Sequence, residues 1–294
     1  MHSAMVTRSA QRISHAFLLC ESRKWLFTFE QISDGTFTVV SCYSVPPRAR
    51  AHTTDLFSSF VESVSSLLLA TSFASWPVVE ALLEMGADPL TQSANEHFNS
   101  MHGASIIGRP LIITNWAARF PQWDWEARGL AVGVTAMMTC VFVGPDKIPT
   151  MQALIDVGAD PLYRASNGAH ILINIAASLD SDADMTRFAL SIPGVRQLVN
   201  EPMRPMTRKW AIQYKLLRLA AWLGSKKKLV QAISNWPGNR ALAAAARSGN
   251  AGVLAVLARE GANPRLKNVR GETALDQARK LFGEQYYNAL LSLN

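Results

Sequence analysis

The sequence predicts a mainly α chain: a solenoid of stacked helical units carrying a small N-terminal β-hairpin. Two observations predict the solenoid. The same phrase closes separate amphipathic stretches, with Trp76 to Leu90 and Ile148 to Leu162 both ending in Gly-Ala-Asp-Pro-Leu, and Asn250 to Leu266 ending in Gly-Ala-Asn-Pro-Arg-Leu. The glycines of these phrases, Gly86, Gly158 and Gly261, lie 72 and 103 residues apart, close to two and three multiples of a unit of about 34 residues. A third observation predicts the hairpin. Between Lys24 and Val45, two runs rich in β-forming residues flank Asp34-Gly35, the dipeptide that tight hairpin turns favour.

Taken in order, the N-terminus is basic and rich in serine, and its apolar stretch Ala16 to Cys20 is too short for the core of a secretory signal. The hairpin follows, then a basic, turn-rich connector and a helix expected from Asp55 to Leu69. A lone hairpin is marginal, so it is expected to cap the first repeat, giving a capping region over 1–60 and a repeat domain over 61–294. From Val78 to Met85 the apolar residues recur at helical spacing, opposite Glu80 and Glu84. Gly86 is then free to adopt the left-handed conformation that ends a helix, and Asp88-Pro89 turns the chain away. Pro110 to Ala118 reads as a first helix followed by an irregular aromatic segment. Units start at Gly133 and Gly168, and a degenerate one spans Met206 to Pro237. Two short helices join at Gly249-Asn250, and the final start is Gly271 to Ala278. The seventeen uncharged residues from Gly129 to Pro145 fall inside this series and read as a buried helix rather than a membrane span.

These segments resemble ankyrin repeats, whose units open a first helix with G-x-T-P-L-H-x-A and close a second with L-L-x-x-G-A-D-P. Gly271-Glu272-Thr273-Ala274-Leu275-Asp276-Gln277-Ala278 follows the opening phrase with Asp in place of His. The resemblance implies an ankyrin-repeat helical solenoid of about six to seven repeats from near residue 62 onward. It also implies a concave surface of first helices and loop tips used for protein recognition.

Composition narrows the function. The chain has 294 residues, 49% hydrophobic and 17% charged, with a net charge of +7, which excludes a disordered, collagenous or disulfide-scaffold protein. Cys20, Cys42 and Cys140 are odd in number and lack CxxC spacing, so neither a disulfide framework nor a zinc site is expected. The expected compartment is cytoplasmic: a bacterial cytosol, or a host cytosol for a delivered effector. No nucleophile elbow, phosphate loop, HExxH or dinucleotide fingerprint occurs, so no catalytic residue, metal or cofactor is assigned. Asp180-Ser181-Asp182-Ala183-Asp184 imitates half a calcium loop but has Met185 where the turn glycine belongs and Ser191 where the bidentate Glu belongs. It reads as a solvated loop, and the His97 and His102 pair likewise reads as a loop feature.

Two features point to a partner. Between Met203 and Lys228 stand Arg204, Arg208, Lys209, Lys215, Arg218, Lys226, Lys227 and Lys228 without an acid. That density suits an acidic protein surface, nucleic acid or anionic lipid, whereas Trp210, Tyr214 and Trp222 are expected in the core. The aromatic loop Arg119 to Gly129 carries Phe120, Trp123 and Trp125, either as a contact surface or as a patch over a missing second helix. The candidate partner-binding residues are therefore Trp116, Arg119, Trp123, Trp125, Tyr163, Arg164, Arg208, Lys209, Lys226, Lys227, Lys228, Arg265, Lys267 and Arg270. The expected function is non-catalytic protein binding, as an effector or as an inhibitor or neutraliser of another protein. The alternative is nucleic-acid binding through 203–228. An enzyme would instead depend on residues such as His102 and Asp124.

Overall fold

The computed structural model describes the backbone of residues 16–19, 25–31 and 37–44 and, apart from gaps at 95–96, 142–145, 180, 228–229, 231–232 and 235, residues 65–283. The helix expected from Asp55 lies largely outside these residues. Strands β1 (Ala16–Leu19), β2 (Trp25–Gln31) and β3 (Phe37–Ser44) form an antiparallel sheet in the order β1-β2-β3. Leu19 pairs with Leu26 and Gln31 with Phe37, with an irregularity at Thr28/Phe29. The expected hairpin thus has a third strand, while Asp34-Gly35 and the side chains of the sheet lie outside the described residues. Its expected role as a cap is not supported.

Twelve α-helices follow among the described residues: α1 (Ser66–Phe73), α2 (Trp76–Glu84), α3 (Ser100–Ile107), α4 (Pro110–Arg119), α5 (Ala136–Thr139), α6 (Lys147–Asp156), α7 (Ile171–Ala177), α8 (Ala183–Ser191), α9 (Arg208–Trp222), α10 (Ala241–Ser248), α11 (Ala251–Arg259) and α12 (Ala274–Phe282). Helices α1, α3, α5, α7, α10 and α12 stack as one layer, and α2, α4, α6, α8 and α11 as the other. Each pair is a unit too small to bury its own apolar face, and stacking supplies the core. Leu68, Met101, Ile113, Met137, Leu154 and Ile171 form part of it, all buried. Small polar side chains tie neighbouring units. Thr71 Oγ1 donates to the Ser100 carbonyl at 3.0 Å, Ser178 Oγ to Val141 at 3.0 Å and Ser248 Oγ to Ala176 at 2.7 Å.

Helix starts follow from capping chemistry. Ser65, Asp182, Thr207 and Asn250 accept amide protons from the first turns of α1, α8, α9 and α11. Thr273 and Asp276 cap α12 reciprocally. The three closing glycines take φ of 93°, 94° and 85°, the left-handed turn expected of them.

The order of stacking corrects two readings of the sequence. Pro110 to Ala118 belongs to a second helix, because α3 precedes it in the same unit. Residues 206–237 form no unit of the stack, because α7 packs directly on α10 and α8 on α11, leaving α9 outside both layers. The described part of the uncharged run, 129–141, is a turn and the four-residue α5, and no described helix is long and apolar enough to cross a membrane.

Candidate functional site

Between units the chain makes hairpin-like fingers that lead into the first helices. Gly129 and Val134 exchange backbone hydrogen bonds of 2.8 Å, Ala165 donates to Ala169 at 2.9 Å, and Asn268 donates to Glu272 at 2.9 Å. Neighbouring fingers are linked sideways, with Ser166 donating to the Val132 carbonyl at 2.7 Å. The finger before α10 closes in the same manner: Met203 donates to Asn239 at 2.7 Å, and Gly238 to Met203 at 2.8 Å. Yet 35 residues lie between Met203 and Asn239, against three or four in the other fingers. The insertion also keeps the sideways ladder, because Met206 donates to Ser166 at 3.0 Å and Val269 to Pro237 at 3.3 Å.

Helix α9 is the body of this expanded finger, and it folds back over the two fingers before it. Trp210 Nε1 donates to the Ala131 carbonyl at 3.2 Å, and Tyr214 Oη to the Asn167 carbonyl at 3.0 Å. Both side chains are buried, and burial pushes the Tyr214 phenol upward. The approach is close enough to require glycine at 168: its φ is 92°, and a Cβ there would meet the Arg204 carbonyl oxygen at 1.9 Å. At the neck, the Arg240 guanidinium donates to the carbonyls of Asn200, Gly238 and Lys267 at 2.9, 3.0 and 3.2 Å. It thereby joins the expanded finger to the next.

The outward face of α9 is apolar and basic together. Ile212, Leu216, Leu219, Trp222 and Leu223 are 58, 59, 51, 81 and 70% exposed. Arg208, Lys209, Lys215, Arg218, Lys226 and Lys227 are exposed around them. Beside the start of α9, an open groove of about 450 Å³ is lined by Arg128, Leu162, Tyr163, Arg164, Met206 and Thr207, among others. The Arg128 guanidinium stands 5.8 Å from the Tyr163 ring centre, a cation–π distance. Arg164 pairs with Glu201 at 3.2 Å. The groove therefore offers an aromatic wall, exposed aliphatic side chains and two guanidinium groups, with the carboxylate of Asp160 also in its lining.

No family model and no curated protein matches the sequence. Solved structures do. A chain from the complex of the predatory endopeptidase Bd0816 of Bdellovibrio bacteriovorus with the immunity protein Bd3460 superposes with a TM-score of 0.53 at 20% identity, covering 78% of this chain and 98% of that one. The ankyrin repeat domain of Bcl-3, a member of the IkappaB family, superposes with a TM-score of 0.52 at 22% identity, covering 78% and 82%. The chain has the ankyrin-repeat fold.

Within the ankyrin units the aromatic loop gains a meaning. Asp88, Asp124, Asp160 and Asn263 each accept the amide proton two residues on, at 2.9, 2.9, 2.8 and 2.9 Å. Asp124-Trp125-Glu126 is therefore the closing turn of the second repeat, with Trp125 in the place of Pro89 and Trp123 in the place of Ala87. Trp116, a candidate contact, is fully buried and lies beneath Trp123 edge-on, with ring centres 5.1 Å apart, so it belongs to the core and is withdrawn from the contact surface. Trp123 and Trp125 are half-buried over it. The second helix they were thought to replace is present as α4. Arg119 is exposed beside the Phe120 ring. Glu126 turns inward, and its Oε1 accepts the Asp160 amide proton at 2.7 Å. Burial raises its carboxyl above the usual range.

Tyr163 and Arg164 come together at the groove, beside the first turn of α9 that carries Arg208 and Lys209. Lys226 and Lys227 follow its far end, and Lys228 lies outside the described residues. Arg265, Lys267 and Arg270 are exposed on the next finger. Trp222, expected in the core, is instead the most exposed of the outward residues on α9. His102 and Asp124 both make hydrogen bonds within the repeat framework. The buried imidazole accepts from the Asn99 amide at 3.3 Å and donates to the Val134 carbonyl at 3.1 Å. Asp182 caps α8, and Asp184 pairs with Arg187. The sequence reading missed α3 and Arg240. Asn99-Ser100-Met101-His102-Gly103-Ala104 keeps only the His and Ala of the opening phrase T-P-L-H-x-A, with Asn for Thr, Ser for Pro and Met for Leu, a weak signal. Arg240 had no signal beyond its place before a helix.

Proposed function

We propose that this chain is a non-catalytic protein-binding module whose contact surface is the finger side: the outward face of α9, the adjoining groove and the basic finger before α12. The observation that carries the reading is the expanded finger. A loop lengthened to 35 residues and laid back across its neighbours as a helix exposes five large apolar side chains, and a folded monomer gains nothing from exposing them. The ankyrin fold supports protein recognition in general. The surrounding lysines and arginines support a partner with an acidic surface. Both settings open to such a module, a delivered effector and a neutraliser of another protein, use this same face.

The test is copurification of the tagged chain from its host, with and without nuclease, beside a variant in which 204–238 is replaced by a three-residue turn. One protein retained by the full chain, indifferent to nuclease and lost from the excised variant is the expected outcome. Recovery of nucleic acid alone would replace this reading with direct nucleic-acid binding by the basic segment.

A further inference from the structure

The spacing along α9 states more about the partner. Ile212, Leu216, Leu219 and Leu223 follow one another at steps of four, three and four residues, the rhythm of a helix-to-helix seam. At 100° per residue they fall within an arc of about 60°. Trp210, Tyr214, Leu217 and Ala221 repeat the same steps on the opposite side, and Trp210 and Tyr214 there are the residues seated on the fingers. Helix α9 thus carries two parallel seams, one used internally and one facing solvent. Its charges are of one sign: no Asp or Glu occurs between Glu201 and Glu260.

We propose that the outer seam of α9 docks an amphipathic helix of the partner protein, with leucine-like residues filling the seam and acidic residues along its flanks. This rests on the protein-binding reading. A second copy of the chain is disfavoured, because pairing two α9 helices would bring Arg208, Lys209, Lys215 and Arg218 of each against their own kind. A lipid surface is disfavoured because interfacial helices bury a broad apolar face, whereas this seam is a narrow row bordered by charge. A helix laid along a row of anchors at i, i+4, i+7 and i+11 is a recurrent recognition mode.

The test places a photo-crosslinking amino acid at Leu216 or Leu219 of the full chain in its host, with Leu111 on α4 as the control position, and sequences the crosslinked peptide. Support is a single peptide, absent from the Leu111 control, whose apolar residues recur at three- and four-residue steps beside Asp and Glu. The unlabelled Leu216→Glu, Leu219→Glu double variant should then lose at least about a hundredfold in affinity for that protein. Lys215→Glu with Arg218→Glu should lose about tenfold, mostly in association rate. Crosslinks to a second copy, to lipid, or to a peptide without acidic flanks overturn the proposal. So does a partner that still copurifies, through the groove or the last finger, with no crosslink to α9. Failure of any protein to copurify overturns the protein-binding reading as well.

Discussion

His102 shows how one side chain fixes a repeat. Its imidazole joins the start of α3 to the finger ahead of α5 by accepting from Asn99 and donating to Val134. Burial holds its pKa down to about 4, and that of His170 likewise to about 4. Both rings are therefore neutral in the folded chain at pH 7. The unfolded chain takes up protons from about pH 6.5, the folded chain only near pH 4, so the stability these groups confer is whole above 6.5 and drains away as the pH falls through that window. The loss is about 3 kcal/mol for each ring by pH 4. Urea midpoints measured from pH 7.5 to 4.5 should fall, and His102→Gln should be less stable at pH 7 yet lose less on acidification. An equally steep profile in that variant would show that His102 does not titrate as described. The histidine stands where an opening phrase would place it, but Asn for Thr, Ser for Pro and Met for Leu obscured the phrase. Trp123 was not readable: this tryptophan in an alanine's place rests edge-on against the buried Trp116 ring, a contact that no spacing discloses.

At the scale of elements, the second helices α2, α6 and α11 were legible because an apolar face alternates with a polar one and a glycine turn follows, whereas first helices such as α1 and α7 are buried nearly all round and show no such alternation. The expanded finger was not legible, for a numerical reason. The insertion of 35 residues is almost one repeat long, so the 103-residue step from Gly158 to Gly261 looks like three repeats although it spans two and an insertion. The amphipathic pattern of α9 completed the disguise. Only packing separates the cases, since α7 meets α10 directly. Replacing 204–238 with a three-residue turn between Met203 and Asn239 should therefore leave a folded solenoid. The finger already closes across that pair, and the units on either side keep every stacking contact. Thermal unfolding monitored by circular dichroism should stay cooperative and lose the helical signal of α9, at a lowered midpoint because Trp210 and Tyr214 no longer cover the fingers. Collapse of cooperativity would mean that α9 is a structural member after all. Gly168 should stay intolerant of substitution even in that background, because its φ of 92° belongs to the retained finger, and Arg240 should keep its bonds to the Asn200 and Lys267 carbonyls.

The whole molecule combines a nearly neutral solenoid with one charged projection. Residues 203–228 contain eight basic side chains and no acid, against a net +7 for the chain. Sequence could locate that charge but not aim it; the fold does so by turning α9 back across the fingers, so that Arg208, Lys209, Lys215, Arg218, Lys226 and Lys227 surround the apolar row. Charge so placed acts before contact. For the acidic partner proposed above, it would steer encounter toward the seam over a distance of about 10 Å at 0.1 M salt, while the apolar contacts formed afterwards would govern departure. Measured by surface plasmon resonance between about 0.05 and 0.5 M salt, the association rate with the partner should fall about tenfold or more, and the dissociation rate should change less than about threefold. Nucleic acid held by the same lysines would behave otherwise, because its affinity is set by counterion release and falls linearly in the logarithm of salt with little left at the upper end. A salt response carried by the dissociation rate would mean that the basic residues hold the partner rather than guide it, and that the apolar row of α9 is not the anchor.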